Sequence, residues 1–195
     1  MPEKHPIKEK IKLFTIGHST RLWDEFLSLL HGFKIEAIID IRRFPGSRKF
    51  PHFNRESLET ALPSAGIEYI WLEELGGRRS GADIDKSLNA GLKSPGFRYY
   101  ADYMQTEQFR SAVNRLLSVA AIKRTAIMCA EKLFWKCHRR LLSDYLVARC
   151  VSVEHIMDSA RLQPHKLSAG AVITENLQVI YPLSASDDDT PKLFD

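Results

Sequence analysis

Two thiols, a carboxylate, an imidazole and two guanidiniums crowd into "CAEKLFWKCHRR": Cys129, Glu131, Cys137, His138, Arg139 and Arg140. Such a set can supply a thiolate nucleophile, a general acid or base, and charged donors for an anion. Cys137 falls near the expected start of a helix, beside His138 and close to Lys136, Arg139 and Arg140. Helix N-terminal partial charge and nearby cations both favour a thiolate there. Leu141 lies one turn on, so the same thiol could instead face a core. Cys129 ends an apolar run and is either a small buried hydrophobe or a second nucleophile. Glu131 is either salt-bridged to a neighbour such as Lys132 or a general acid or base at the mouth of a site.

Further along the chain, His18 follows a glycine in "TIGHS", where it can act as a base, a ligand or a hydrogen-bonded turn residue. In "DIRRFPGSR" (40–48), Asp40 can hold an arginine in place, and Arg42 or Arg48 can clamp a phosphate or carboxylate bidentately. Metal-ligand types are present, but the chain has no CxxC and no HxxxH pair. Cys137 and His138, taken as neighbours on a helix, would point about 100° apart, so no metal site is expected. The glycines of "LGG" (75–77) form neither a Walker loop nor a dinucleotide fingerprint, and no cofactor is expected.

These residues sit at the ends of recognisable elements. "LFTIG" (13–17), "AIIDI" (37–41), "IEYIWL" (67–72), "TAIMC" (125–129) and "VEHIM" (153–157) are short β-rich apolar runs. Between them lie helical stretches: one after an N-cap at Ser19 or Thr20 running to Phe33, one over 54–66 capped by Asn54, one from Tyr99 broken near Thr106, and one after Cys129. "AVITENLQVIYP" (171–182) reads as a hairpin turning at Glu175 and Asn176. The pattern predicts an α/β fold: a mainly parallel sheet with helices on both faces, plus a short C-terminal β-hairpin. Ligands on such sheets bind beyond the carboxyl ends of the strands. His18, the Asp40–Arg42 pair, Glu73 with Glu74, and Cys129 with Glu131 each follow a strand, so the titratable groups gather at one edge. Residues 73–96 form a long Gly-rich, charged connection of the kind that serves as a functional loop or hides a short helix.

Four blocks, "TIGHS" (15–19), "DIRRFPGSR" (40–48), "GIEYIWLEELGG" (66–77) and "MCAEKLFWKCHRR" (128–140), resemble the signature of the DUF488 family, small prokaryotic proteins of unassigned function. The resemblance spans roughly residues 12–158. It implies a soluble cytoplasmic α/β domain whose motif positions are His18, Asp40, Arg42, Ser47, Arg48, Gly76, Gly77, Cys129, Glu131, Cys137, His138 and Arg139. From these, Cys129, Glu131, Cys137 and His18 are the catalytic candidates. Asp40, Arg42, Ser47, Arg48, His138 and Arg139 are the anion-binding candidates. Rhodanese-like sulfurtransferases and cysteine phosphatases are similar in fold type only. Their Cys and Arg stand about six positions apart in a Gly-rich loop, whereas a bulky "AEKLFWK" follows Cys129 and Arg139 is ten positions on.

Bulk properties narrow the setting. The chain has 195 residues, enough for one domain that buries roughly two thirds of its unfolded surface. The expected organisation is a flexible N-terminus over 1–11, one α/β domain over 12–183, and a mobile acidic tail over 184–195. "MPEKHPIKEKIK" has no apolar stretch of the signal-peptide kind, and no run suffices to span a bilayer. Three cysteines suggest a reducing cytosol rather than a disulfide framework. The net charge of +4 understates the basicity of residues 41–55, which carry Arg42, Arg43, Arg48, Lys49 and Arg55 and no acid. An anionic partner follows. The enzyme reading has arginines binding a phosphate- or carboxylate-bearing substrate. The alternative is a nucleic-acid-binding or accessory module, with Phe44, Phe50, His52 and Phe53 stacking on bases. Thiols, carboxylate and imidazole at strand ends favour the enzyme. The expected geometry puts His18, Arg42, Glu131 and His138 around one cleft.

Overall fold

A computed structural model describes residues 11–80, 87–159 and 161–183. Six strands form one sheet in the order β3-β2-β4-β1-β5-β6. They are β1 (Lys12–Gly17), β2 (Ala37–Asp40), β3 (Glu68–Trp71), β4 (Thr125–Cys129), β5 (Ser152–Asp158) and β6 (Arg161–Pro164). The first five run parallel, and β6 pairs antiparallel with β5 at one edge. A separate antiparallel hairpin joins β7 (Val172–Ile173) to β8 (Val179–Ile180). The α/β class, parallel sheet and hairpin expected from the sequence are all present. Of the expected flexible segment over 1–11, residues 1–10 lie outside the described residues, as does the acidic tail over 184–195. No helix among the described residues is long and apolar enough to cross a membrane.

Period-2 side-chain alternation assigns each strand residue to one of two cores. On one face Phe14, Ile16, Ile38, Ala126 and Met128 pack against α1 (Trp23–Gly32) and α2 (Arg55–Ser64) through Phe26, Leu30, Leu58 and Leu62. On the other, Leu13, Ile39, Ile127 and Val153 meet α3 (Pro95–Tyr103), α4 (Glu107–Ala120) and α5 (Arg139–Val147) through Tyr100, Phe109, Leu116 and Leu142. The central strands β2 and β4 are buried along their whole length and covered on both sides, which is why their runs are almost wholly apolar rather than alternating.

The crossovers place the site. From β1 and β2 the chain moves one way across the sheet by α1 and α2. From β3 and β4 it returns the other way by α3, α4 and α5, over the opposite face. Strand β4 therefore lies between β1 and β2, whose exits leave on the face opposite to its own. Diverging exits from neighbouring strands open a crevice at their carboxyl ends.

Four local features differ from the sequence reading. Helix α1 starts at Trp23 with Leu22 in the cap position, not at Ser19 or Thr20. Ser19 instead takes a positive φ of 50° while its N–H continues the β4 contact to Ala130 O (2.8 Å). Helix α3 starts at Pro95, whose fixed φ suits a first helical turn, ahead of the expected Tyr99. Helix α5 starts at Arg139, after a 3₁₀ turn over Phe134–Lys136 that sequence periodicity did not reveal. Asn54 does precede α2, yet its side chain accepts from the Ser47 N–H (2.5 Å) and so ties the basic loop down instead of capping the helix. The expected break at Thr106 is present: its hydroxyl accepts from Phe109 N and caps α4.

Candidate active site

One continuous cleft runs along the carboxyl ends of β1, β2 and β4. Its α2-side arm is lined by His18, Ser47 and Phe50, its middle by Arg42, Arg43 and Gly77, and its α5-side arm by Glu131, Lys136 and Cys137. Arg78 and Ala130 border all three parts. The α5-side arm alone encloses about 600 Å³. His18, Arg42, Glu131 and His138 thus lie along the same cleft, at the crevice that the strand order defines.

Close backbone approach builds the cleft floor. A Cβ on Gly17 would stand 2.0 Å from Glu131 O, so only glycine lets the end of β1 pass beneath the 130–132 loop. A Cβ on Gly77 would stand 2.8 Å from His138 Nδ1, so glycine lets the loop after β3 lie across the imidazole. Tyr100 approaches the other side of that ring edge-on at 5.0 Å between centroids.

Arg42 is held from several directions. Its Nε and Nη2 donate to the fully buried Asp40 carboxylate, its Nη1 approaches His18 Nε2 at 3.2 Å, and its own amide donates to Asp40 Oδ1. Tyr69 adds a donor to Asp40 (2.7 Å), and Trp71 Nε1 donates to Arg42 O. The guanidinium has five N–H groups, of which this arrangement occupies three, leaving two for the cleft. With Arg42 as donor, His18 must accept at Nε2 and donate from Nδ1 to Ser19 O (3.1 Å). Burial first, then the adjacent guanidinium, lowers this imidazole to about 3. Both nitrogens are engaged and the ring is stacked on Phe53, an arrangement that holds His18 against Arg42.

The thiols sit at the other arm. Cys129 ends β4 and Cys137 follows the 3₁₀ turn; both are buried, whereas Cys150 is exposed. A hydrogen bond to Cys137 is the main cause that keeps the proton on Cys129, reinforced by burial. Burial opposes ionisation of Cys137, but Cys129, His138 and Arg139 together outweigh it and draw its pKa down. Cys137 Sγ lies 3.6 Å from His138 Nδ1, and His138 Nε2 is buried with no hydrogen-bond partner among the described residues. A metal is not expected when Cys137 and His138 are both assigned to a helix. Cys137 is in fact extended (φ −125°, ψ 151°), so the 100° divergence does not arise. The donor atoms of Cys129, Cys137 and His138 lie within 4.8 Å of one another.

Other expected site residues occupy different places. Arg139 is 1% exposed and bonds backward, to Thr15 Oγ1 (3.3 Å) and to the carbonyls of Glu131 and Lys132. It braces the loop from below and does not reach the cleft, which corrects its anion-binding assignment. Arg48 is exposed and outside the cleft lining, and Ser47 accepts from Phe50 N to shape the basic loop. Glu131 is exposed beside the thiols, its carboxylate accepting from Leu133 N (3.2 Å) with no ion pair to Lys132. Of the four rings proposed for base stacking, Phe53 is fully buried and only Phe44 is widely exposed, at 66%.

Two residues absent from the sequence-based site belong to it. Arg43 lines the middle of the cleft, and Arg78 borders its whole length from a left-handed backbone conformation (φ 54°). No side-chain partner of Arg78 is found among the described residues. Its neighbour Arg79, by contrast, donates to the carbonyls of Gly76, Glu73 and Glu74 and stacks over Tyr103. "GGRR" signals two cations after a strand, but not which one turns inward.

A parallel α/β sheet with an arginine- and thiol-lined crevice at a topological switch defines the class. The sequence pattern described as Domain of unknown function DUF488 matches residues 22–146, and the chain belongs to that family. Three of the four signature blocks fall within the match, while "TIGHS" precedes it. No curated protein and no solved structure matches the chain.

Proposed function

We propose that the protein is an enzyme acting on a phosphate- or carboxylate-bearing substrate in this cleft, in the reducing cytosol. Arg42, Arg43 and Arg78 hold the anion, and the thiol pair with Glu131 provides the reacting groups. The observation that carries the reading is Arg78. Among the described residues its guanidinium has no partner, its backbone is in a strained left-handed conformation, and it borders the same cleft as Cys129 and Cys137. The reading is tested by alkylating the native chain with and without inorganic phosphate, and by measuring turnover of a panel of phosphate and carboxylate esters. Phosphate should slow modification of Cys129 and Cys137 but not of Cys150, and one ester class should turn over. Equal labelling with and without phosphate, together with no turnover, would overturn it.

Phe44 favours a nucleotide or nucleic acid as the bearer of the anion. The ring is exposed at the cleft mouth and lies under the Arg43 guanidinium at 5.8 Å. Stacking on such a ring contributes roughly 1–3 kcal/mol per base. Phe44→Ala should therefore weaken a single-stranded oligonucleotide by about tenfold while leaving inorganic phosphate unaffected. Oligonucleotide anisotropy that shows no binding even at low salt would exclude this second reading.

A further inference from the structure

We infer that Cys129, Cys137 and His138 form a binding site for one thiophilic divalent cation of the zinc class, with its fourth position open to the cleft. The inference concerns the cation alone and stands whether or not the cleft binds a phosphate. Three observations lead to it. The first is donor chemistry: two sulfurs and one imidazole nitrogen are a typical set for zinc. The second is spacing. With metal–sulfur and metal–nitrogen lengths of ~2.3 and ~2.0–2.1 Å, a tetrahedral centre holds adjacent sulfur and nitrogen ligands ~3.6 Å apart. Cys137 Sγ and His138 Nδ1 are 3.6 Å apart, and all three donors lie within 4.8 Å.

The third is how the donors are held. Cys129 is fixed by the pairing of β4 with β1, opposite Gly17. Cys137 is fixed by the 3₁₀ turn before it, whose Phe134 carbonyl accepts from its N–H (3.1 Å). His138 lies between Gly77 and Tyr100. Three separately anchored donors converge with little left to reorganise on binding. All three also line the α5-side arm of the cleft, so the remaining coordination position faces space and not protein. Three protein ligands with an open fourth position is the arrangement of catalytic rather than structural zinc. Two thiolates would balance the charge of the ion. The cations Arg78 and Lys136, on the same arm, would then favour an anion as the fourth ligand.

Cobalt(II) titration of the fully reduced chain tests the site, because cobalt reports both geometry and sulfur ligation in its absorption. One cobalt per chain is expected, with the visible bands of a tetrahedral centre and thiolate-to-cobalt charge transfer. Zinc should bleach both. Cys129→Ser and Cys137→Ser should each lower the charge-transfer intensity and weaken affinity by roughly tenfold or more, and His138→Asn should weaken it likewise. Cys150→Ser should change nothing. Absence of charge transfer in the reduced wild-type chain, or its persistence in the Cys129→Ser/Cys137→Ser double variant, would overturn the inference. The wild-type chain provides a check that does not depend on variants folding. Zinc should protect Cys129 and Cys137, but not Cys150, from alkylation, and equal labelling of all three with and without zinc would refute the site.

Discussion

The two sides of strand β1 carry similar polar groups and arrange them in opposite ways. Between β1, β5 and α5 runs a buried chain of hydrogen bonds. Tyr181 and the Ser168 amide donate to Asp144, as does His165 Nε2 at 2.9 Å. His165 Nδ1 then accepts from His155 Nε2 (2.9 Å), and His155 Nδ1 accepts from the Thr15 hydroxyl (2.7 Å). Arg139 closes the chain by donating to Thr15, and it also holds the carbonyls of the 131–132 loop. Every proton along it points towards Asp144, and each imidazole uses both nitrogens. At the carboxyl edge, His138 Nε2 has no partner and Arg78 none among the described residues. A buried polar group costs least when it is fully bonded. From Thr15 to Asp144 the network meets that condition, with only the Nε of Arg139 at its end lacking a partner among the described residues; the cleft does not, so the network is read as architecture and the cleft as a site awaiting a ligand.

Substitutions that treat both regions alike should separate them. Asp144→Ala should have the largest effect, since it strands three buried donors. A loss on the order of 3–5 kcal/mol is expected in urea unfolding. Under native conditions the folded fraction should still bind cobalt and phosphate. A cost under about 1 kcal/mol would mean that the network is not structural.

Acid should act next, through His155. Burial, with His165 and Arg139 close by, lowers this imidazole to about 2 from an ordinary 6.5. Between those values the unfolded chain holds a proton that the folded one does not. Stability from this group is therefore complete above pH 6.5 and falls by ~1.4 kcal/mol for each unit below it. Urea midpoints at pH 7 and pH 5 should show about 2 kcal/mol of loss from this source, absent in His155→Leu. An unchanged slope in that variant would place the acid sensitivity elsewhere.

The adjacent arginines provide the finest contrast. Arg79→Gln should cost about 1–2 kcal/mol of stability, through three carbonyls and the Tyr103 ring, with little change in phosphate affinity. Arg78→Gln should leave stability within about 0.5 kcal/mol and weaken phosphate by about tenfold. Calorimetry and urea unfolding on the pair would check this, and equal behaviour of the two variants would contradict the assignment.

The sequence was most legible where physics is local. Runs such as "AIIDI" and "TAIMC" are almost wholly apolar because helices cover both faces, and each ends where a polar residue meets the crevice. Asp40, Arg42, Cys129 and Glu131 could therefore be placed at one edge without coordinates. Edge strand β6, "RLQP", has no alternation to mark it and exists because β5 offers an open ladder. The thiol–imidazole geometry was hidden because the Phe134–Lys136 turn delays α5 past Cys137. His18 and Arg139 have the right chemistry for a site, but burial and partners fix their use, and those arise only from tertiary packing.

The hydrogen bonds of Tyr181 also set an order of assembly. This residue anchors to Asn89 and Asp144 as well as bonding Gly91, and through Asp144 the brace extends to the loop beside Cys129. On a ribosome, Tyr181 is made 43 residues after His138, roughly 2–9 s later at typical elongation rates. During that interval the strands and thiols exist in the nascent chain without the last tie that steadies their loop. The cleft would thus be among the final parts of the protein to settle, and the thiols most open to chaperones, oxidants or stray metals just before it does.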